Sequence, residues 1–205
     1  MKFIDLSHWI EPGMPVYPSD EKPELKHDKY LEKDKYNNFK LTAGTHIGTH
    51  VDSPMHLTKS ITFIGEYEPE RFCGKACVID VRGKDKITSE PAFDNLIKNK
   101  DIILLYTGFD VKYGRDDYYN SHPVLDMSFA EFLVRKNIKL VGFDMPSPDR
   151  YPFEIHKYLF KNGIFILENL KNLDCLIGSN DIEFFALPLK IKADASWVRA
   201  VAKID

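Results

Sequence analysis

Residues 42–57 read TAGTHIGTHVDSPMHL. The odd positions Thr45, Ile47, Thr49 and Val51 are β-branched, while Gly44, His46, Gly48, His50, Asp52, Pro54 and His56 hold the even ones. Two glycines and a β-branched series disfavour helix. In a strand, side chains alternate between faces, so burying the branched set aims three histidines and an aspartate the same way. Alternate Cα atoms of a strand lie about 6.6 Å apart, which lets His50 and Asp52 share one ion. His46 is four residues from His50, about 13 Å along a straight strand, so the stretch must bend for both to reach a common cation. Gly48, between them, is where a bend is cheapest. Imidazole nitrogens with a carboxylate oxygen suit zinc, manganese, iron or cobalt. Unpaired, four ionisable groups of one parity would repel or need costly desolvation, so the stretch reads as a metal site.

Outward from this stretch, strand and helix patterns alternate. Residues 76–81 (ACVIDV), 102–106 (IILLY), 140–143 (LVGF) and 164–167 (IFIL) are short apolar runs of strand character. Helix-like stretches fall between them at 89–99, at 128–137 with an apolar stripe of Phe129, Phe132 and Leu133, and at 153–161. Asn162-Gly163 closes the last as a C-cap. Such alternation implies a partly parallel sheet. Residues 3–6, a solvated hairpin at 26–40 turning near Asn37-Asn38, and the tail at 184–191 and 198–204 look all-β. The expected fold is α/β, a single domain over residues 1–205 with mixed β structure and packed helices. His156 in the third helix and Glu168 at the end of the last apolar strand form a second cluster, placed where α/β folds put ligand-contacting groups. His8, His27 and His122 lack such a setting and are expected to be structural or exposed.

Composition narrows the partners. A chain of 205 residues buries about 70% of its unfolded surface, enough for one well-cored domain. With 28 Lys and Arg against 31 Asp and Glu, the net charge is −3, leaving no basic excess for a phosphate backbone. No apolar run approaches the roughly 18 residues of a membrane span. Asp5, Ser7, His8 and Glu11 come too early for a signal-peptide core. Three cysteines, an odd number, argue against a secreted disulfide framework and for the cytoplasm. Cys73 and Cys77 lack a second pair and read as packing residues. A small-molecule partner is expected, with neither nucleic acid nor membrane.

With these residues in view, the chain resembles the cyclase family of metal-dependent hydrolases, whose best-known members are bacterial kynurenine formamidases (arylformamidases). The family motif H-x-G-T-H-x-D-x-P-x-H is matched at His46, Gly48, Thr49, His50, Asp52, Pro54 and His56. Asp5-Leu6-Ser7 is similar to the family's D-L-S, Tyr17-Pro18-Ser19-Asp20 to W-P-G-D, and Asp144-x-Pro146-Ser147-x-Asp149 to D-T-P-S-x-D. His156, separated by eleven residues from Glu168-Asn169-Leu170, matches a later metal pair, and Ala186-Leu187-Pro188-Leu189 and Asp194-Ala195-Ser196 also match. The likeness spans essentially the whole chain.

That resemblance implies a two-metal site. His46, His50 and Asp52 would hold the first ion and His156 the second, with Asp52 and Glu168 bridging. Zinc is the first expectation and manganese the alternative. His56 would carry the proton, and Tyr17 would stand where the family places a substrate-contacting aromatic. The implied fold is swivelling β/β/α-like, assembled as a homodimer or homotetramer. The implied reaction is hydrolysis of a formamide or amide C–N bond by metal-activated water, most specifically N-formyl-L-kynurenine to kynurenine and formate. Tyr17 replaces the usual Trp and Ser19 the usual Gly, and the aromatic-rich stretch 106–120 matches no pattern. These departures leave the substrate open. The alternatives are hydrolysis of a cyclic amide or lactone in the manner of an isatin hydrolase, a cyclase or dehydratase, and a metal-binding protein without turnover.

Overall fold

Short apolar runs in the middle of the chain pair side by side and in parallel, because helices return the chain across one face of a sheet. The computed structural model describes residues 1–97 and 101–205. In chain order its strands are β1 (Lys2–Asp5), β2 (Glu24–Lys29), β3 (Asn38–Thr42), β4 (His50–Asp52), β5 (Cys73–Asp80), β6 (Lys86–Ile87), β7 (Ile102–Tyr106), β8 (Val124–Leu125), β9 (Leu140–Phe143), β10 (Phe165–Glu168), β11 (Ile182–Phe185), β12 (Ala195–Trp197) and β13 (Val201–Ile204). The α-helices are α1 (Leu31–Asp34), α2 (Phe93–Leu96), α3 (Met127–Arg135) and α4 (Glu154–Lys161). One nine-stranded sheet has the order β1-β13-β11-β5-β7-β9-β10-β4-β12. β5, β7, β9 and β10 are its parallel centre, flanked by antiparallel strands on both sides.

Two cores explain why the central strands are apolar on both faces. Along β7, Ile103 and Leu105 pack with Phe129, Leu133, Leu159 and Phe160 beneath the helices. Ile102 and Leu104 face the opposite core, with Phe72, Phe165 and Phe184. Burying each such aromatic is worth about 1.5–3 kcal/mol. The sheet curls around this second core. Past β1, Leu6 accepts a backbone hydrogen bond from Lys171 at 3.0 Å, and Ser7 bridges to Leu170, just beyond β10. The architecture is therefore α/β, a mixed sheet with few helices, and no described helix is long and apolar enough to cross a membrane.

Several elements differ from expectation for local reasons. The hairpin of β2 and β3 does not turn tightly at Asn37-Asn38. Helix α1 forms the connection, with the Tyr30 and Leu31 amides donating to Asp34 Oδ2 and Asn37 Oδ1 at 2.9 and 3.1 Å. The helix expected over 89–99 is the single turn α2, and the end of that range, at Asn99, lies outside the described residues. The tail strand ends at Phe185; beyond it the Ala186 amide donates to Phe72 O at 2.9 Å, Pro188 makes an isolated bridge to Val198, and the Leu189 amide donates to Ser196 Oγ at 2.9 Å. Cys73 and Cys77 both lie in β5. His122 is buried, while His27 is stacked on Phe39 at 4.4 Å on the exposed hairpin. His8 stacks on Tyr113 at 3.7 Å.

The segment after Pro188 is clamped at Gly65. The Ile64 amide donates to Ala193 O at 2.8 Å and the Gly65 amide to Ile191 O at 3.2 Å. A Cβ on Gly65 would lie 2.6 Å from Ile191 N and 2.7 Å from Ile191 O, which are backbone atoms that cannot rotate away. Gly65→Ala should therefore destabilise the protein by about 1–3 kcal/mol, read as a lower Tm in thermal unfolding.

Candidate metal centre

Strand pairing, not local sequence alone, assembles the cluster. β4 runs antiparallel to β10 in a register that sets His50 opposite Glu168 and Asp52 opposite Ile166. On its other side β4 pairs with β12, which sets Asp52 opposite Ala195. Asp194, next in the chain, is fixed there because its carbonyl accepts from the Ser53 amide at 3.0 Å and Ser53 Oγ at 2.7 Å. The bend expected at Gly48 is formed: Gly48 adopts φ +56°, only His50–Asp52 of the stretch is extended, and the His46 and His50 rings stand 5.3 Å apart.

The other half comes from α4. Asp149 Oδ2 accepts from the Ile155 amide at 2.6 Å, satisfying a donor at the helix start. Its second oxygen lies 2.5 Å from His156 Nδ1. One carboxylate thus caps the helix and orients the imidazole. His56 and His156 approach to 6.3 Å between ring centres, and His46 and His56 to 4.1 Å.

The donor set fits a cation. His50 Nδ1 donates to Gly48 O at 2.8 Å, so Nε2 presents its lone pair. That buried atom has no hydrogen-bond partner, and it faces Asp52 Oδ1 at 3.3 Å and Glu168 Oε2 at 3.5 Å. Asp52 Oδ1, itself buried, also lies 2.9 Å from His46 Nδ1, so imidazole nitrogens of His46 and His50 converge on one carboxylate oxygen. A lone pair against two carboxylate oxygens is repulsive unless positive charge lies between them. His156 repeats the arrangement, with Nδ1 held by Asp149 and Nε2 3.4 Å from Glu168 Oε1. Two groups have ligand atoms all within 4.8 Å of one another, His46 with Asp52 and His56, and His50 with Asp52 and Glu168.

Charge coupling follows this geometry. Burial disfavours the His46 imidazolium, yet Asp52 and Asp194 outweigh it and push its pKa up to about 11. Burial likewise opposes charge on His156, but Asp149 and Glu168 raise it to about 9. Burial, with Asp52 adding repulsion, lifts Glu168 to about 7. Burial would raise Asp52 too, but the facing histidines hold it well below the usual carboxylate range. A divalent ion would take over the charge balance that protons supply to such a cluster.

Of the residues named from sequence, His46, His50, Asp52, His56, His156 and Glu168 therefore converge, while Tyr17 lies at the cavity wall, edge-on to Tyr119 at 5.6 Å. The cavity has a volume of about 330 Å³. Four neighbours had no role assigned from the sequence. Asp149 holds His156, and Asp194 Oδ2 reaches His46 Nε2 at 2.9 Å and His56 Nδ1 at 3.1 Å. Tyr119 comes from the aromatic stretch that matched no pattern, as does buried Tyr118, whose hydroxyl donates to Asn169 Oδ1 at 2.8 Å. The D-x-P-S-x-D and D-A-S matches were the available signals for the two aspartates.

Comparison with known proteins agrees with this geometry. A family model described as "Putative cyclase" matches residues 4–150. The chain belongs to the cyclase family. A kynurenine formamidase of Bacillus cereus is 32% identical over 208 residues, covering 98% of this chain and 97% of the relative. An uncharacterized protein of Methanocaldococcus jannaschii is 37% identical over 210 residues, covering 98% and 99%. Among solved structures, isatin hydrolase A from Ralstonia solanacearum superposes with a TM-score of 0.87 at 21% identity, over 100% of this chain and 92% of that one, a likeness of fold. A structure titled as a potential metal-dependent hydrolase with cyclase activity gives 0.73 at 25% identity, over 98% and 96%.

Adding Zn²⁺ or Mn²⁺ to chelator-treated cyclase-family protein should raise its Tm, by an amount equivalent to about 2.7 kcal/mol at one hundred times Kd. Asp52→Ala should abolish that rise. Asp149→Asn should weaken metal affinity by about 10- to 100-fold in calorimetric titration, as expected for loss of an outer carboxylate.

Proposed function

We propose that this chain is a metal-dependent hydrolase of formamide or amide C–N bonds on aromatic substrates, an arylformamidase in its most specific reading. The carrying observation is the buried His50 Nε2, which has no hydrogen-bond partner and faces Asp52 and Glu168, two carboxylates that line a cavity together with His56. The 32% identity to a kynurenine formamidase over almost the whole chain supports the same reading. His46, His50 and Asp52 would hold one divalent ion and His156 a second, with Asp52 and Glu168 shared. Zinc suits the nitrogen-rich donor set, with manganese as the alternative. When bound, such ions make water nucleophilic near neutral pH and polarise a carbonyl oxygen.

The chain's own residues account for the rest. Asp194 engages His56 Nδ1, so Nε2 is the atom left to exchange a proton with the substrate. An arylamine anion is a poor leaving group, and a proton delivered from His56 Nε2 to the nitrogen lets the C–N bond break. Asp194 acts here by orienting the ring. Tyr17 and Tyr119 offer an aromatic wall for the substrate's ring.

His56→Ala should retain bound metal and lose kcat by about 10²- to 10⁴-fold on N-formyl-L-kynurenine or formanilide, the scale of a missing general acid. Metal content by elemental analysis and steady-state turnover are read on the same preparation. Near wild-type turnover in that variant would remove the proton-transfer role. Isatin-type lactams and lactones assayed in parallel separate open-chain from cyclic substrates.

A further inference from the structure

The cavity holding the histidines is the inner end of a longer cleft. A second cavity of about 230 Å³ shares Tyr17, Tyr119, Pro146, Ser147 and Phe153 with it and continues outward to Arg150. Arg150 is the only Lys or Arg among the described residues lining either cavity. Its guanidinium is fixed at one nitrogen, where Nη2 donates to the carbonyl oxygens of His122 at 2.6 Å and Asn120 at 3.3 Å.

Among the described residues no carboxylate forms an ion pair with it. Both oxygens of Asp149 are engaged, one by His156 Nδ1 and the other by the Ile155 amide. Burial pushes the His122 pKa down to about 4, so that ring is neutral at physiological pH. Asp20 lines the inner cavity, where its carboxylate disfavours an anion and directs one outward. A cation tethered through Nη2 keeps Nη1 and Nε to donate, and either can give one charge-assisted hydrogen bond to a carboxylate oxygen.

We propose that Arg150 is a specificity-determining residue. It forms an anion subsite that binds a carboxylate on the substrate's tail while the ring lies against the Tyr17, Tyr119 and Phe153 wall and the amide reaches the histidine cluster. This inference rests on the amide-hydrolase reading above and extends it to substrates anionic at the end remote from the reacting bond.

The test uses the zinc-loaded full chain and two aryl formamides identical at the reacting end. One is neutral, 2-formamidoacetophenone, and the other carries a carboxylate tail, 4-(2-formamidophenyl)-4-oxobutanoate. Wild type should prefer the anionic compound in kcat/KM, and Arg150→Gln should collapse that preference by about 10- to 100-fold through KM, with Arg150→Lys restoring part of it. An unchanged preference ratio in Arg150→Gln would overturn the subsite. Should wild type hydrolyse neither compound, the amide-hydrolase reading falls. Calorimetric binding of the amine 4-(2-aminophenyl)-4-oxobutanoate then decides the subsite alone. A Kd weakened about 10-fold or more in Arg150→Gln supports it, and equal Kd values overturn it.

Discussion

The antiparallel pairing of β4 with β10 is the constraint on which the site depends. It places His50 against Glu168 within the sheet, where both are buried. His50 Nδ1 is already committed to Gly48 O, so the remaining lone pair must face carboxylate oxygen. An apolar pair at this position would stabilise the sheet more simply, because buried charges cost more in desolvation than their attraction returns unless well compensated. The arrangement makes physical sense as half of a cation site.

Around that pairing, each histidine is held by a carboxylate or carbonyl that has a structural duty as well. Asp149 satisfies the start of α4 while holding His156. Asp194 is anchored through its backbone by Ser53 while its side chain spans His46 and His56. Gly48 O, the acceptor for His50, also accepts from Asn169 Nδ2 at 3.0 Å, and the Asn169 carbonyl takes a hydrogen bond from Thr49 Oγ1 at 2.6 Å. Ligand orientation is thus tied to helix capping and strand pairing, which limits the motion available to the imidazoles.

The cleft follows from topology in the same way. Chain leaving the C-terminal ends of β7, β9 and β10 supplies Tyr119, Pro146, Ser147 and Asn169 to its walls, the side on which parallel sheets present their loops. Asp144, at the end of β9, binds the Thr107 and Gly108 amides at 2.8 Å and so ties the ends of β7 and β9 together beneath it.

Local spacing in the sequence determined much. The apolar runs mark the central strands because those strands are buried on both faces, and the H-x-G-T-H-x-D-x-P-x-H stretch marks four chemical groups because they lie within eleven residues. The need for a bend at Gly48 was also legible, from strand geometry alone. Tertiary structure decided the rest. Asp194 meets His46 across 148 positions of chain, and Tyr118 meets Asn169 across 51, separations that no periodicity encodes. The short length of β4, the helical turn inside the β2–β3 hairpin and the outward course of the cleft to Arg150 were likewise decided in three dimensions. Each depends on which backbone and side-chain groups find partners once the sheet has closed, and that is a property of the packed chain rather than of neighbouring letters.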